Sequence, residues 1–222
     1  MNYQIFKRVF DLIVSSIVIL LLSPLFLIVS MILIFTGEGN IFYYQIRIGY
    51  KNKPFYIWKF ATMQKNSAKI GTGTITLPND ARVLPFGRFL RFAKINELPQ
   101  LINIFIGNMS FVGPRPMVKK GWRRYPDNIR DNIYNVKPGL TGIGSVVFRN
   151  EAKIVANFGG NPQEVYAHKI FPYKGALEMW YQNNISFFTD IKIIILTAWV
   201  ILFSNSKLHE KLFSDLPSMS LD

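Results

Sequence analysis

The feature that most constrains this chain is an uncharged run near its start. Ile13 to Thr36 contains 24 residues without an Asp, Glu, Lys or Arg. A membrane-spanning helix needs about 20 apolar residues, so the run is long enough to enter a bilayer. It is too long for the core of a signal peptide, and no small-residue cleavage site follows it. We therefore expect a membrane helix that stays in the mature protein.

Basic residues flank this run on both sides. Lys7 and Arg8 precede it, and most of the 26 Lys and Arg follow it. A straight span would place one basic side outside, against the positive-inside tendency. Ser23-Pro24 lies near the middle, where proline removes a helical hydrogen bond and the serine hydroxyl can take the freed carbonyl. We predict a re-entrant helix with both ends on the cytosolic face; a plain span with a tolerated proline is the alternative.

Composition narrows the classes of function. With 222 residues, the chain is long enough for one domain plus a membrane element. It has no cysteine, so disulfides, thiol catalysis and cysteine–zinc sites are excluded. Its two histidines, His168 and His209, give little support for a histidine metal site or a Ser-His-Asp arrangement. The net charge of +13 suits an anionic membrane, a phosphate-bearing substrate or a nucleic acid.

Asn96 and Glu97 come directly before a stretch with helical periodicity. The apolar residues at that spacing are Leu98, Leu101, Ile102 and Phe105. Pro99 fits only in a first turn, so the spacing predicts a helix that starts near Asn96, with Asn96 as its N-cap. The positive end of such a helix is a natural seat for phosphate. A capped helix with a solvated basic face is the alternative.

Cations surround this stretch in sequence. Arg88 and Arg91 share one face of a predicted helix with Lys94 or Ile95. Arg115 lies between two prolines, which limit where its guanidinium can point and suit bidentate phosphate recognition. A solvated basic face and a stiff loop with an incidental arginine are the respective alternatives.

The rest of the chain is assigned from periodicity and turn residues. The predicted elements are a hairpin of 41–47 and 53–60, a mobile loop over 64–77, a basic aromatic helix over 117–135, a turn over 137–142, a helix that starts at 161–164, and a helix over 166–183 limited or bent by Pro172. Ile193 to Ser204 is too short to cross a bilayer, so it lies in the membrane interface or in the core. Residues 205–222 are expected to form a loosely ordered polar tail.

Several motifs occur together along nearly the whole chain. They are Lys7-Arg8-x-Phe10-Asp11, Ser23-Pro24, Lys59-Phe60-x-Thr62-Met63, Gly87-Arg88-x-Leu90-Arg91, Glu97-Leu98-Pro99-Gln100, Gly113-Pro114-Arg115-Pro116 and Lys137-Pro138-Gly139. In this order they resemble the bacterial sugar transferases, the monotopic phosphoglycosyl transferases. The resemblance implies transfer of a sugar-1-phosphate from a UDP-sugar to polyprenyl (undecaprenyl) phosphate, with release of UMP, at the cytosolic face of the bacterial inner membrane.

The resemblance also implies roles for particular residues. Asn96 occupies the place of the family's nucleophilic Asp, and Glu97 is the other member of the acidic pair, which together hold Mg2+. The cations implied to bind phosphate or substrate are Arg88, Arg115, Lys59 and Arg91. The implied partners are the two substrates, membrane phospholipids and downstream glycosyl transferases, with no nucleic acid.

Asn96 is the departure from the family pattern that matters most. An amide cannot attack phosphorus and is a poor ligand for a divalent cation. The chain is then an inactivated variant, a natural degenerate copy or a member that uses Glu97. Two other classes stay open: a catalytically dead membrane-bound scaffold for glycan-assembly enzymes, and a nucleic-acid binder, which the run Ile13 to Thr36 argues against.

The expected fold is α/β but mainly helical. It has an N-terminal re-entrant membrane helix, a small β-hairpin, and interfacial amphipathic helices around a single catalytic core. The expected division is 1–38 for the membrane helix, 39–204 for the transferase domain and 205–222 for the tail.

Overall fold

The computed structural model describes residues 3–36, 38–67, 80–159 and 162–219. Contacts group the chain into two compact units. The large unit comprises Met1–Asp11, Ile46–Phe55 and Gly107–Asp222, and the small unit comprises Leu12–Gln45 and Tyr56–Ile106. Most of the predicted loop 64–77 and residue Asn161 lie outside the described residues. The division at residues 38 and 204 stays a prediction.

Helix α1 runs from Tyr3 to Thr36 without interruption, with Pro24 in its interior. The Ser23 hydroxyl donates to the carbonyl of Leu20 at 2.8 Å, the acceptor that proline leaves without its usual partner. This local compensation was predicted and is confirmed. Within the described ranges, α1 is the one helix long and apolar enough to cross a membrane, by length and composition. Re-entry itself stays a prediction.

The predicted hairpin is present as β1 (Phe42–Ile48) and β2 (Pro54–Phe60). In the small unit, Phe42 stacks on Phe60 with ring centroids 5.6 Å apart. Phe60 is buried with Val29, Leu33 and Leu90 in the core of that unit. The apolar face of α1 therefore packs on β2, and this holds the end of the strand in place.

The helix expected to start at Asn96 starts later. Helix α2 covers Pro85–Phe92, a 3-10 turn covers Ile95–Glu97, and α3 covers Gln100–Ile106. Pro99 has no N–H and lies in the turn that joins the last two. Asn96 is therefore not the N-cap of an α-helix, and the predicted helix-end seat for phosphate is absent there. The buried face of α3 consists of Gln100, Leu101, Asn103 and Ile104, while the predicted face residue Phe105 is 44% exposed.

Two further predictions are corrected in the large unit. The basic helix over 117–135 is instead two short helices, α4 (Lys119–Trp122) and α5 (Asp127–Arg130), because Pro126 caps the second one with a ψ of 151°, outside the helical region. The turn over 137–142 contains strand β4 (Gly139–Thr141), which pairs in parallel with β3 (Ser110–Val112). Residues that pair across the two strands are 29 apart in the sequence, with Ser110 opposite Gly139.

The C-terminal helices bury the main core. They are α6 (Ile143–Val147), α7 (Glu151–Phe158), α8 (Pro162–Val165), α9 (Phe171–Asn183), α10 (Phe187–Leu202) and α11 (Leu208–Leu212), with a π-helical turn at Tyr166–Ile170. Pro172 lies in the first turn of α9, which confirms that it limits that helix. In α10, Ile193, Leu196 and Val200 are buried while Phe188, Ile195 and Trp199 are exposed, so this helix presents apolar side chains on its exposed face as well as in the core.

The tail is better ordered than expected. Phe213 is 7% exposed and joins the main core, against Trp180, with ring centroids 5.0 Å apart. The indole N–H of Trp180 donates to Asp215 at 2.8 Å. The prediction of a loosely ordered tail is therefore wrong for this part of it, because α11 brings an aromatic side chain back to the core.

Candidate functional site

Lys59 and Glu97 form the centre of the candidate site in the small unit. Lys59 lies near the end of β2 and Glu97 ends the 3-10 turn, and the two side chains meet with Nζ 2.7 Å from Oε1. The side chains are 17% and 20% exposed. The ion pair is therefore partly shielded from water yet open to a substrate. The structure thus joins two of the residues that the sequence analysis selected.

Arg91 adds a second cation to this pair. It lies in the last turn of α2, and its Nη1 is 3.4 Å from the Thr62 hydroxyl. Burial lowers the pKa of Arg91, and the negative charges of Glu97 and Asp80 work in the opposite direction. Arg88, three residues earlier, has an exposed side chain. Lys59, Arg91 and Glu97 are thus brought together, while Arg88 faces solvent on the same helix.

Close packing at Gly87 fixes α2 against the chain before it. A Cβ at this position would lie 2.2 Å from the Thr62 carbonyl oxygen, which also accepts from the Leu84 N–H at 3.0 Å. No side chain larger than hydrogen fits there without a backbone shift. Gly87 therefore sets the distance between the helix that carries Arg91 and the segment that carries Thr62.

Asn96 is buried beside Glu97, at 7% exposure. Two residues before it, Lys94 is a non-glycine residue with a left-handed φ of 61°. Among the described residues, the Asn96 side-chain oxygen Oδ1 has no hydrogen-bond partner. A buried polar atom of this kind is costly unless another group satisfies it. An Asp at this position would present a carboxylate oxygen in the same place.

The residues present offer a magnesium ion two oxygen donors, Asn96 Oδ1 and the Glu97 carboxylate. The described part of the chain holds no group of three His, Cys, Asp or Glu side chains that would form a cage. Magnesium is commonly held by one or two carboxylates with substrate phosphates completing its shell. The unpartnered Oδ1 fits that pattern, although the Lys59 ammonium competes for Glu97.

Arg115 belongs to the large unit. Its side chain is exposed while Pro114 and Pro116 on either side are buried. The Tyr134 hydroxyl donates to the Arg115 carbonyl at 2.7 Å and accepts from the Met117 N–H at 2.9 Å. These hydrogen bonds hold the backbone of the loop from within, and Arg115 is exposed on it; its role in binding phosphate stays a prediction.

Lys7 and Arg8 were predicted as membrane-flanking cations. The Lys7 ammonium forms an ion pair with Asp190, and both side chains are nearly buried, at 11% and 8% exposure, while the membrane-flanking role stays a prediction. Arg8 lies close to Lys137, since a Cβ built at Gly107 would meet the Arg8 guanidinium at 3.2 Å and the Lys137 ammonium at 3.5 Å. Burial is the main cause of the lowered pKa of Lys137, and the Arg8 charge adds to it. Lys7 thus serves the interior of the large unit.

Sequence reasoning missed three side chains that support these residues: Thr62, Tyr134 and Glu178. Glu178 is 5% exposed, and burial raises its pKa to about 8. It lies among the buried apolar residues Leu177, Trp180 and Tyr181 of α9. A charged residue on an otherwise apolar helix face is the signal that was available.

The chain matches known proteins along most of its length. Residues 2–204 match the family model described as bacterial sugar transferase. The UDP-glucose:undecaprenyl-phosphate glucose-1-phosphate transferase of Klebsiella pneumoniae is 34% identical over 201 residues, covering 88% of this chain and 40% of that protein. The undecaprenyl-phosphate galactose phosphotransferase of Salmonella typhimurium is 31% identical, with 88% and 40% covered.

A relative of similar size is also found. The exopolysaccharide production protein ExoY of Rhizobium meliloti is 32% identical over 212 residues, covering 89% of this chain and 86% of that protein. The chain therefore spans 40% of the Klebsiella and Salmonella relatives but most of the Rhizobium one. With the family model matched from residue 2 to residue 204, this chain belongs to the bacterial sugar transferase family.

Proposed function

We propose that this chain is the catalytic unit of a phosphoglycosyl transferase that uses a UDP-sugar and a polyprenyl phosphate. The match to the sugar transferase family over residues 2–204 carries the proposal. The site adds chemical support: Lys59 and Arg91 gather at Glu97, where a soluble polyanion would need cations. Relatives whose names specify undecaprenyl phosphate agree with the lipid acceptor.

The proposed reaction exchanges one phosphorus–oxygen bond at a time. When position 96 carries a carboxylate, as in Asn96→Asp, that carboxylate attacks the sugar-bearing phosphorus of the donor, the bond to the bridging oxygen breaks, and UMP leaves. An oxygen of the polyprenyl phosphate then attacks the same phosphorus and releases the enzyme. The product is a polyprenyl diphosphate sugar. In the small unit, Lys59, Arg88 and Arg91 are proposed to bind phosphate oxygens. In the large unit, Arg115 is proposed to bind phosphate.

A magnesium ion is proposed as the cofactor of this site. Asn96 and Glu97 would hold it from the protein side, and it would neutralise charge on the diphosphate. With an amide in place of one carboxylate, we expect weak metal binding.

Asn96 limits what the chain as written can do. Its amide cannot act as the nucleophile, and Glu97 is already paired with Lys59. We expect weak donor binding and little or no turnover. Asn96→Asp places a carboxylate at the buried oxygen position and should raise turnover by at least about a thousandfold, the scale of losing a nucleophile.

The membrane placement is part of the proposal. Helix α1 is proposed to re-enter at Ser23-Pro24, so that both ends lie on the cytosolic face of the inner membrane. The exposed face of α10, with Phe188 and Trp199, is proposed to lie in the interface among phospholipids. This arrangement would hold a basic site at the depth of a lipid phosphate.

The test is UMP release in lipid particles with magnesium, undecaprenyl phosphate and a panel of UDP-sugars. The chain as written is compared with Asn96→Asp and with Asn96→Asp combined with Glu97→Gln. Turnover by the Asn96→Asp variant alone, and its loss when Glu97→Gln is added, supports the proposal. Equal turnover by the chain as written and by Asn96→Asp would assign the chemistry to another group.

The buried amide at position 96 favours a second candidate, a membrane-bound scaffold for downstream glycosyl transferases. In that case Asn96→Asp stays inactive with every donor. Co-purification of glycan-assembly enzymes with the inactive chain would then support the scaffold.

A further inference from the structure

The loop that carries Arg115 is held by hydrogen bonds along its whole length. The Gly113 N–H donates to the Thr141 carbonyl at 2.9 Å, and the Gly139 N–H donates to the Pro114 carbonyl at 2.9 Å. Beyond Arg115, the guanidinium of Arg47 donates to the Pro116 carbonyl at 3.2 Å. The two ends of the loop are therefore fixed to strand β4 and to the hairpin tip.

The Arg115 peptide itself is held by two buried side chains from the other side. Tyr134, which is fully buried, donates to the Arg115 carbonyl at 2.7 Å. The carboxyl of Glu178, on α9, accepts from the Arg115 backbone N–H. Pro114 and Pro116 have no N–H, so Arg115 carries the only backbone donor between Gly113 and Met117. Its single donor is directed inward, to Glu178.

The space for the Glu178 carboxyl is built into the neighbouring helix. A Cβ at Gly144, in α6, would lie 2.5 Å from Glu178 Oε1. Any larger residue at 144 would displace the carboxyl from the position it occupies. The glycine and the acid therefore form a matched pair, and both residues are buried.

We infer that Glu178 is a positioning residue for Arg115. With Tyr134 it fixes the Arg115 peptide from inside the unit, so that the Arg115 side chain starts from a fixed Cα on the exposed side of the loop. This inference rests on the proposed function for the phosphate, while the hold on the peptide rests on the contacts alone. An arginine on a fixed backbone loses less freedom when it binds a phosphate than one on a mobile loop.

Burial supports this role. The main cause of the raised pKa of Glu178 is desolvation, and the Arg115 N–H, Lys174 and the Arg115 charge oppose it. Lys174 is itself paired with Glu151 at 2.6 Å. Glu178 also acts electrostatically on three tyrosines, Tyr125, Tyr134 and Tyr181, and adds to the rise in the pKa of each, whose main cause is burial. The carboxyl is thus held mainly as an acceptor for one peptide.

The test measures hydrogen exchange at the Arg115 amide and affinity for UDP, the part common to all UDP-sugars, in the full chain in lipid particles. Glu178→Met removes the acceptor, whereas Glu178→Gln keeps a carbonyl oxygen of the same shape. Gly144→Ala keeps the acid but displaces it. Leu177→Ala, the neighbouring buried position on α9, is the control for general loss of stability.

We expect Glu178→Met and Gly144→Ala to speed exchange at the Arg115 amide by about tenfold, relative to the rest of the chain, while Glu178→Gln and Leu177→Ala leave it unchanged. Glu178→Met should weaken UDP binding about as much as Arg115→Ala, roughly tenfold, and the double variant should be no weaker than Arg115→Ala alone.

Unchanged exchange at Arg115 in Glu178→Met would overturn the inference. So would a further loss of UDP affinity when Glu178→Met is added to Arg115→Ala, because Glu178 would then act through another group. If Arg115→Ala leaves UDP affinity unchanged, the phosphate role of Arg115 fails and the positioning role falls with it. Failure of the proposed function appears separately, as absence of UMP release by Asn96→Asp.

Discussion

Glu97 in the small unit and Glu178 in the large unit are two acids in contrasting surroundings. Glu97 is partly exposed and its carboxylate meets the Lys59 ammonium at 2.7 Å. Glu178 is almost fully buried, accepts a peptide N–H, and its Oε2 has no hydrogen-bond partner in the described part of the chain. The Lys59 ammonium beside Glu97 favours the charged form of that acid, whereas burial of Glu178 favours its neutral form.

The contrast suggests a division of labour between the two regions. A charged acid beside cations can exchange partners when a polyanion arrives, as a substrate site requires. A neutral acid that holds one peptide does not exchange partners and instead keeps a loop rigid. Substitutions that change one region at a time test this division.

The largest effect is expected at Gly113, in the Arg115 loop. A Cβ there would lie 2.3 Å from the Lys137 carbonyl oxygen and 3.0 Å from the Gly139 nitrogen. Both of these are backbone atoms. Gly113→Ala should lower the free energy of unfolding by about 3 kcal/mol. Gly39→Ala is the control: it has a φ of +74° but no atom within 4 Å, and should cost about 1 kcal/mol. Denaturant unfolding in detergent would measure both, and equal costs would contradict the close packing of the loop.

The next effect is on the pH dependence of stability. The pKa of Glu178 rises from 4.5 to about 8 on folding, so the folded chain holds this proton more tightly than the unfolded chain. The resulting stabilisation is complete below about pH 4.5 and is lost as the pH rises through 8. Glu178→Gln stays neutral at every pH. Between pH 6 and pH 9 the melting temperature of the unaltered chain should therefore fall relative to that of the variant, by several degrees.

If the melting temperatures of the unaltered chain and of Glu178→Gln changed equally between pH 6 and pH 9, Glu178 would be ionised in the folded chain. The two acids would then be alike, and the comparison between them would fail.

A smaller effect is expected at Lys59. Lys59→Met leaves the Glu97 carboxylate partly buried without its ion pair, which should cost about 1 to 2 kcal/mol of stability. Adding Glu97→Gln removes the carboxylate charge that lost its partner, so most of the lost stability should be recovered. Thermal unfolding of the single and double variants gives the coupling energy. A double variant no more stable than Lys59→Met would mean that the pair is not the reason for the loss.

The smallest effect is expected for a divalent cation alone. Asn96→Asp adds one charged oxygen at the buried position, and should strengthen Mn2+ binding by about tenfold without any nucleotide present. Calorimetry of the two chains would measure it. If adding Glu97→Gln to Asn96→Asp did not weaken binding, the cation would be held elsewhere.

Local patterns predicted the elements whose causes are local. The hairpin follows from its turn residues, and the stiff Arg115 loop follows from two prolines that fix the backbone around one residue. Lys59, Arg91 and Glu97 were all selected from the sequence, and the structure brings them together.

The errors arise where partners lie far apart in the chain. Strand β4 was read as a turn because its pairing with β3, from Ser110 opposite Gly139, leaves no local trace. The start of α3 was placed too early because the same types of residue can begin a 3-10 turn or an α-helix, so the pattern at Asn96 fits both. Glu178 was missed because its partner, the Arg115 N–H, is 63 residues away and is a backbone group, so no side-chain pattern records it.

The beginning of α1 has a consequence for how the protein is made. Tyr3 donates to Asp190 at 2.6 Å, across 187 residues, and Lys7 pairs with the same carboxylate. At about 5 to 20 residues per second, a ribosome needs roughly 10 to 40 seconds to make the distance between them. The first turns of the chain therefore wait for almost the last helix before they reach their final partners. Truncation before Asp190 would leave the long apolar helix α1 without the carboxylate that Tyr3 and Lys7 bind at its start.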